Sequence, residues 1–374
     1  MNKPFQQLNQ MQDLIRHFTP NWFTVTMGTG VLALIIAELP VAKSLMWSLG
    51  AMLWQVNMVL FMLFTVLYAL RWIIFTTEAK QIFKHPSMSL FLGAIPMALA
   101  TILNGFLKFG PALYGDVAIQ IAEMLWYVDV ILALMIAWIV PFCMYSVQQH
   151  ELKNMSALWL LPIVACEVAA SSGGLLLAHL EAGQNAVAIL FGSYLLWGIS
   201  VLPAFAILTI LMLRLALHQL PAKELAISSW LALGPIGTGA LALLLLGTQA
   251  PQVLNSIGMQ ALGEIFHYAG IFGSLILIGF GTWWLGIALL TTLKHRKDLP
   301  FNLGWWGLTF PLGVFSLAIL NLGQQFALPF ICNIAYGLAT ILILLWIMVA
   351  SKTTQGFYQG NLFFSPCLKA YLEK

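Results

Sequence analysis

Ionisable side chains inside long apolar runs are the first candidates for chemistry, because a charge within a bilayer is costly and marks a functional site by default. Glu167 is the clearest: it lies mid-run beside the small residues Ala169-Ala170-Ser171-Ser172-Gly173-Gly174. A carboxyl in that setting has the chemistry of a proton site in a coupled carrier; a neutral or hydrogen-bonded carboxyl locking a kinked helix is the competing account. Asp129 is also deep in an apolar run and reads as a tie between helices, whereas Glu123 lies nearer an end and reads as interfacial. Glu264 and His267 stand three apart, share a helix face and read as a solvated or structural pair. A different kind of candidate sits in Gly304-Trp305-Trp306-Gly307-Leu308-Thr309-Phe310-Pro311-Leu312-Gly313. Proline lacks a backbone donor and clashes with the preceding turn, so Pro311 bends or breaks a helix and pushes Phe310 away from ordinary helical geometry. Lipid-facing backbone does not tolerate such a break, but a helix that is buried or lines a cavity does. The Phe310 ring is then either a gate in a narrow path or a core side chain of a kinked packing helix.

Enzyme chemistry finds no support in these residues. The 7 histidines are scattered, mostly near the ends of apolar runs, and there is no HExxH, GxGxxG, P-loop or GxSxG. The 4 cysteines, Cys143, Cys166, Cys332 and Cys367, show no metal-ligand spacing, so no metal, no cofactor and no catalytic residue is expected. An integral-membrane enzyme is a remote alternative. A net charge of +3, dispersed along the chain, excludes nucleic acid as a partner.

The elements that position these residues are membrane spans. Of 374 residues, 61% are hydrophobic and 8% charged, against about 25% charged in soluble domains. After a polar arm over 1–18, which does not read as a cleaved signal peptide, ten spans follow at roughly 20–40, 44–75, 87–107, 114–146, 156–180, 185–216, 225–247, 262–293, 303–323 and 329–351. The transmembrane domain thus covers 19–351, with a tail over 352–374. Odd spans are near the minimum for crossing a bilayer and most even ones are longer. Lys3, Arg16, Arg71, Lys80, Lys84, Lys153, Arg214, Lys223, Lys294, Arg296, Lys297, Lys352, Lys369 and Lys374 fall on one side, and only Lys43 and Lys108 on the other. The positive-inside rule places both termini in the cytoplasm of a multi-pass cell-membrane protein, the inner membrane in a Gram-negative cell.

A repeat runs through the spans. Pro96, Pro162, Pro235 and Pro311 recur about one helix pair apart in odd spans, and the first span carries Gly28 and Gly30. Even spans 4 and 6 hold Pro141 and Pro203, so the pattern is a bias. It predicts an all-α membrane protein of five hairpins, with short, broken odd helices around a pore lined by these glycines and prolines, and long even helices as a jacket. No lysine or arginine lies inside an odd span. Selectivity then rests on helix termini, hydroxyls and amides, and weak binding favours a passive channel or uniporter over a proton-coupled carrier using Glu167.

Phe18-Thr19-Pro20-Asn21-Trp22-Phe23 with Met27-Gly28-Thr29-Gly30, then His85-Pro86 with Gly93-Ala94-Ile95-Pro96, Leu161-Pro162 through Gly174, Gly234-Pro235-Ile236-Gly237 and Thr309-Phe310-Pro311, resemble in order the characteristic segments of the tellurite-resistance/dicarboxylate transporter family. That family includes fungal malate permeases, fungal sulfite pumps and the slow anion channels of plant guard cells. The resemblance covers nearly the whole chain. It implies ten helices in five quasi-repeated hairpins, a pore through each subunit, a homotrimer, and a ninth-helix phenylalanine, matched by Phe310, that plugs the pore. The plant channels' long phosphorylated extensions have no counterpart, so that regulation is not expected. Malate-like dicarboxylates, sulfite, tellurite and inorganic anions all occur as substrates in the family, and no residue discriminates among them.

Overall fold

A computed structural model describes residues 5, 6, 8, 10–297 and 299–373; Lys3 and Lys374 lie outside the described residues. Ten principal helices follow one another: α1 Phe23–Ile36, α2 Lys43–Ile74, α3 Ala94–Lys108, α4 Val117–Ser146, α5 Leu161–Leu177, α6 Gln184–His218, α7 Leu233–Asn255, α8 Gln260–His295, α9 Phe310–Gln325 and α10 Pro329–Gln359. No strand occurs among the described residues.

Every odd helix is entered through a 3₁₀ segment: Pro20–Trp22, Ser89–Gly93, Ala157–Leu160, Lys223–Ala232 and Leu303–Leu308. The prolines expected to break these helices at mid-span instead mark the junction. Pro162 and Pro311 occupy the first turn of α5 and α9, and Pro96 and Pro235 are the third residues of α3 and α7. A first-turn proline forgoes at most one bond to the preceding 3₁₀ segment, and its fixed φ favours the helix. The discontinuity at each proline includes a change of helix type, which tightens the entry to each odd helix.

Odd helices lie inside and even helices outside. Over the most apolar stretch, 83 to 94% of residues are buried in the spans of α3, α5, α7 and α9, against 17 to 33% in the five even helices. α1 buries all its residues except Leu34 and Ile36. The even helices instead turn large apolar side chains outward, such as Val59, Phe142, Leu202, Phe272 and Leu344. An apolar surface of that extent suits hydrocarbon, where burial within the protein is not needed to hide it from water.

The inner helices close a ring in the order α1, α3, α5, α7, α9 and back to α1, and each even helix packs behind the seam between its two inner neighbours. Helices packed about 8–10 Å apart in a five-membered ring have axes about 7–8.5 Å from its centre, and a helix with side chains has a radius of about 5–6 Å, so a narrow axial space remains for side chains to fill. Both termini lie on the face where the odd helices begin, where the Phe5 N–H donates to the Tyr358 carbonyl at 2.8 Å. α10 runs past 351 to Gln359, and a further short helix, Pro366–Leu372, docks on the same face. Buried Arg71 holds it there, donating to the Phe18 carbonyl at 2.7 Å and to Ser365 Oγ at 3.1 Å.

Candidate functional site

Two cavities draw lining residues from all five inner spans, one at each end of the ring. The one on the side of the termini encloses about 230 Å³, and its polar lining is Asn21, Thr24, Ser87, Glu224, Ser228 and Asn302. The distal one encloses about 330 Å³ and is lined by Glu38, Asn104, Lys108, His179, Asn321 and Gln324 among apolar residues. Along the inner helices the terminal vestibule reaches Met27, Phe91, Leu161, Leu231 and Gly307, and the distal one begins at Leu34, Asn104, Leu175, Leu241 and Leu317. The residues between form a barrier that contains no lysine, arginine, histidine or aspartate, and Glu167 is its one carboxyl.

Phe310, Pro311, Pro96, Pro162, Pro235, Gly28 and Gly30 all fall in this barrier stretch, and none lines either vestibule. Phe310 is the first residue of α9, 3% exposed, immediately after the 3₁₀ entry. Gly28 and Gly30 are packing positions. A Cβ on Gly28 would meet Trp306 Cε3 at 2.7 Å and Thr309 Oγ1 closer still, so α1 and α9 approach there through the absence of a side chain. A Cβ on Gly30 would meet Asn57 Nδ2 at 2.8 Å and would overlap Thr101 of α3. Gly93 against α5, Gly174 against α7 and Gly237 against α9 make the other seams of the ring in the same way.

Glu167 is fully buried, and neither carboxylate oxygen has a hydrogen-bond partner among the described residues. It lies in the wall rather than at a vestibule: a Cβ on Gly239 of α7 would stand 3.5 Å from its Oε2, in company with Val201 of α6 and Leu277 of α8. The neighbouring Ser200 hydroxyl donates to the Ile163 carbonyl at 2.8 Å. Asp129 is fully buried too, and both its oxygens lack partners, so it is not the hydrogen-bonded tie that its position suggested. Glu123 accepts from Asn185 Nδ2 at 2.8 Å in an exposed setting, as an interfacial residue should. His267 and Glu264 do not pair; His267 Nδ1 lies 3.2 Å from the Gly247 carbonyl, because α8 packs against α7 at that glycine and the carbonyl is within the ring's reach.

One positional device escaped the reading of motifs. The indoles of Trp54, Trp126 and Trp197 donate to the carbonyls of Ile102, Ala169 and Gly239 at 3.0, 2.9 and 3.0 Å, each from an even helix to the next odd one. Trp346 of α10 closes the series on Thr29 Oγ1 of α1 at 3.1 Å. In α8 the indole of Trp284 turns back to the Ser229 carbonyl, 2.9 Å, in the span it has just left. The signal was in the sequence as Leu53-Trp54, Leu125-Trp126 and Leu196-Trp197, each followed three residues on by Asn57, Asp129 or Ser200. The bonds of Trp54, Trp126, Trp197 and Trp346 anchor the jacket to an inner helix at the depth of the barrier and give each indole N–H its acceptor.

A two-layered helical membrane protein, with a cavity at each end of an inner ring, is the class these features define. The chain belongs to the voltage-dependent anion channel (SLAC1) family, which it matches over residues 17–354. It is 34% identical over 341 residues to the sulfite efflux pump of Arthroderma benhamiae, covering 91% of this chain and 90% of that one. An uncharacterized transporter of Methanocaldococcus jannaschii is 30% identical over 357 residues, covering 94% and 96%. The malic acid transport protein of Schizosaccharomyces pombe is 21% identical over 353 residues, covering 93% and 80%.

Proposed function

We propose that this protein passes small anions along the axis of its inner ring, with Phe310 as the gate and both termini in the cytoplasm. The observation that carries the reading is the pair of vestibules, each drawing on all five inner spans and separated by a short barrier to which Phe310 belongs. A barrier without fixed cations binds anions weakly, and weak binding permits rapid transit. Among substrates, the 34% identity to a sulfite pump, against 21% to a malate transporter, supports a small oxyanion of the sulfite kind. A homotrimer is part of the same proposal, resting on the family resemblance. Purified protein in liposomes should release trapped sulfite faster than protein-free liposomes, with malate, tellurite and chloride as comparators. Release no faster than from empty liposomes for every ion would end this reading.

A proton-coupled carrier is a second reading, favoured by one observation: Glu167 is a fully buried carboxyl with both oxygens unpartnered. Its place in the wall between α5 and α7 supports the passive mechanism over the coupled one.

A further inference from the structure

We infer that the distal vestibule is a capture site for one small oxyanion or carboxylate, in which Lys108, His179, Asn104 and Gln324 supply donors and Glu38 holds Lys108 until the anion displaces it. This rests on the anion-transport reading above and locates its first binding step on the distal side. The two vestibules differ in charge. The terminal one contains Glu224 and no basic side chain, whereas the distal one contains Lys108 and His179. Helix polarity explains why the basic groups are needed there. All five inner helices run towards the distal side and four of them, α1, α3, α5 and α9, end at this cavity, where a helix C-terminus carries partial negative charge that repels anions. The N-terminal ends on the opposite side favour an anion without help.

The state of the donors points to a missing partner. Asn104 is only 8% exposed and its side chain makes no hydrogen bond among the described residues, which leaves its Nδ2 donor free for an anion. Its buried Oδ1, an acceptor, is met by the O–H of a protonated oxyanion such as hydrogen sulfite. A buried amide in that condition needs a partner from the cavity it lines. Lys108 is ion-paired with Glu38, and the two side chains retain 36% and 28% of their exposure. A partly exposed pair of this kind is weak, so a carboxylate or oxyanion from solution competes for Lys108 on nearly equal terms. Glu38 itself is the template for the ligand: an oxygen anion already sits on the lysine. His179 lines the same cavity as Lys108 and offers a ring nitrogen to it. With Glu38 in place Lys108 is neutralised, and displacement of Glu38 by the anion keeps that balance while freeing a carboxylate to solvent. The amides of Asn104 and Gln324 add N–H donors spread around the cavity, which several oxygens of one oxyanion can accept at once, whereas Asn321 already donates to the Leu317 carbonyl at 2.9 Å.

Sulfite and chloride are the probes. In planar bilayers with one solution varied at a time, Lys108→Gln should raise the half-saturating sulfite concentration on the distal side about tenfold, the factor carried by one lost charge-assisted hydrogen bond. Lys108→Arg should restore most of it, Glu38→Gln should lower it, and the terminal-side dependence should not move. In detergent, sulfite should raise the thermal midpoint of the full-length wild type more than chloride does, and Lys108→Gln should remove that rise. Equal shifts on the two sides, no shift at all, or a sulfite-dependent midpoint that survives Lys108→Gln would overturn the site. If the wild type carries no sulfite current, the transport reading falls, and the thermal measurement alone decides the site: a rise lost in Lys108→Gln upholds it, and no rise in the wild type overturns it.

Discussion

Gly28 illustrates what a single atom does in the inner ring. Gly28→Ala would drive a methyl into Trp306 and Thr309 at the seam where α9 meets α1. Overpacking of this kind costs about 1–3 kcal/mol, so the thermal midpoint in detergent should fall, and Thr309→Ala should restore part of the loss by removing the side chain struck. Independent, additive losses would show that the seam is looser than the structure has it. At Glu167 the decisive readout is flux. The carboxyl lies against Gly239 in the wall, so wild-type flux should not depend on a pH gradient, and Glu167→Gln should leave flux unchanged in a folded protein. A gradient-dependent flux that Glu167→Gln abolishes would make this residue the proton site of a coupled carrier.

Among elements, the odd helices carry the argument, and their prolines behave differently from what a proline in an apolar run suggests. Because Pro162 stands in the first turn of α5, after the 3₁₀ segment Ala157–Leu160, Pro162→Ala gains at most one hydrogen bond to that segment. Its cost should be within about 1 kcal/mol, mostly through the unfolded chain, and the protein should assemble and transport normally. Loss of assembly would mean the ring depends on the proline itself and not on the 3₁₀ entry. The helix order and the two layers were legible in the sequence, and among the described residues nine of the ten helices are long and apolar enough to cross a membrane, the first, Pro20–Ile36, being shorter. Rotational orientation was not legible. An inner helix such as α5, apolar on every side, presents no stripe that says which residues face a neighbour and which face the axis. Gly28 and Gly30 therefore read as pore lining when they are packing contacts, and Asp129 read as a tie when it has no hydrogen-bond partner among the described residues. The tryptophan anchors were visible as a repeated Leu-Trp pair, but nothing in spacing alone says that an indole reaches a carbonyl on the next helix.

For the whole molecule, the ring with its jacket fixes both termini on one face, and apart from Lys43 and Lys108 the lysines and arginines of the described chain cluster on that face. On the positive-inside rule that face is cytoplasmic, so a cysteine placed after Gln359, in a chain without its other thiols, should resist an impermeant maleimide in intact cells and react after permeabilisation. Labelling in intact cells would invert the orientation.

The central claim is that Phe310 gates an axial path for anions. Its ring is 3% exposed at the first residue of α9, in the barrier between the two vestibules. An apolar ring in a narrow path excludes ions by bulk and by dewetting, so removing it should open the path. A ring that only packs the core would give the other sign, a stability loss of about 3–5 kcal/mol on truncation and no added flux. The most direct measurement is anion current through Phe310→Ala in planar bilayers, with surface expression and thermal stability matched to wild type. Larger currents than wild type, with Phe310→Leu between the two, are the result this account predicts. Unchanged or smaller current through a correctly assembled Phe310→Ala protein would contradict it.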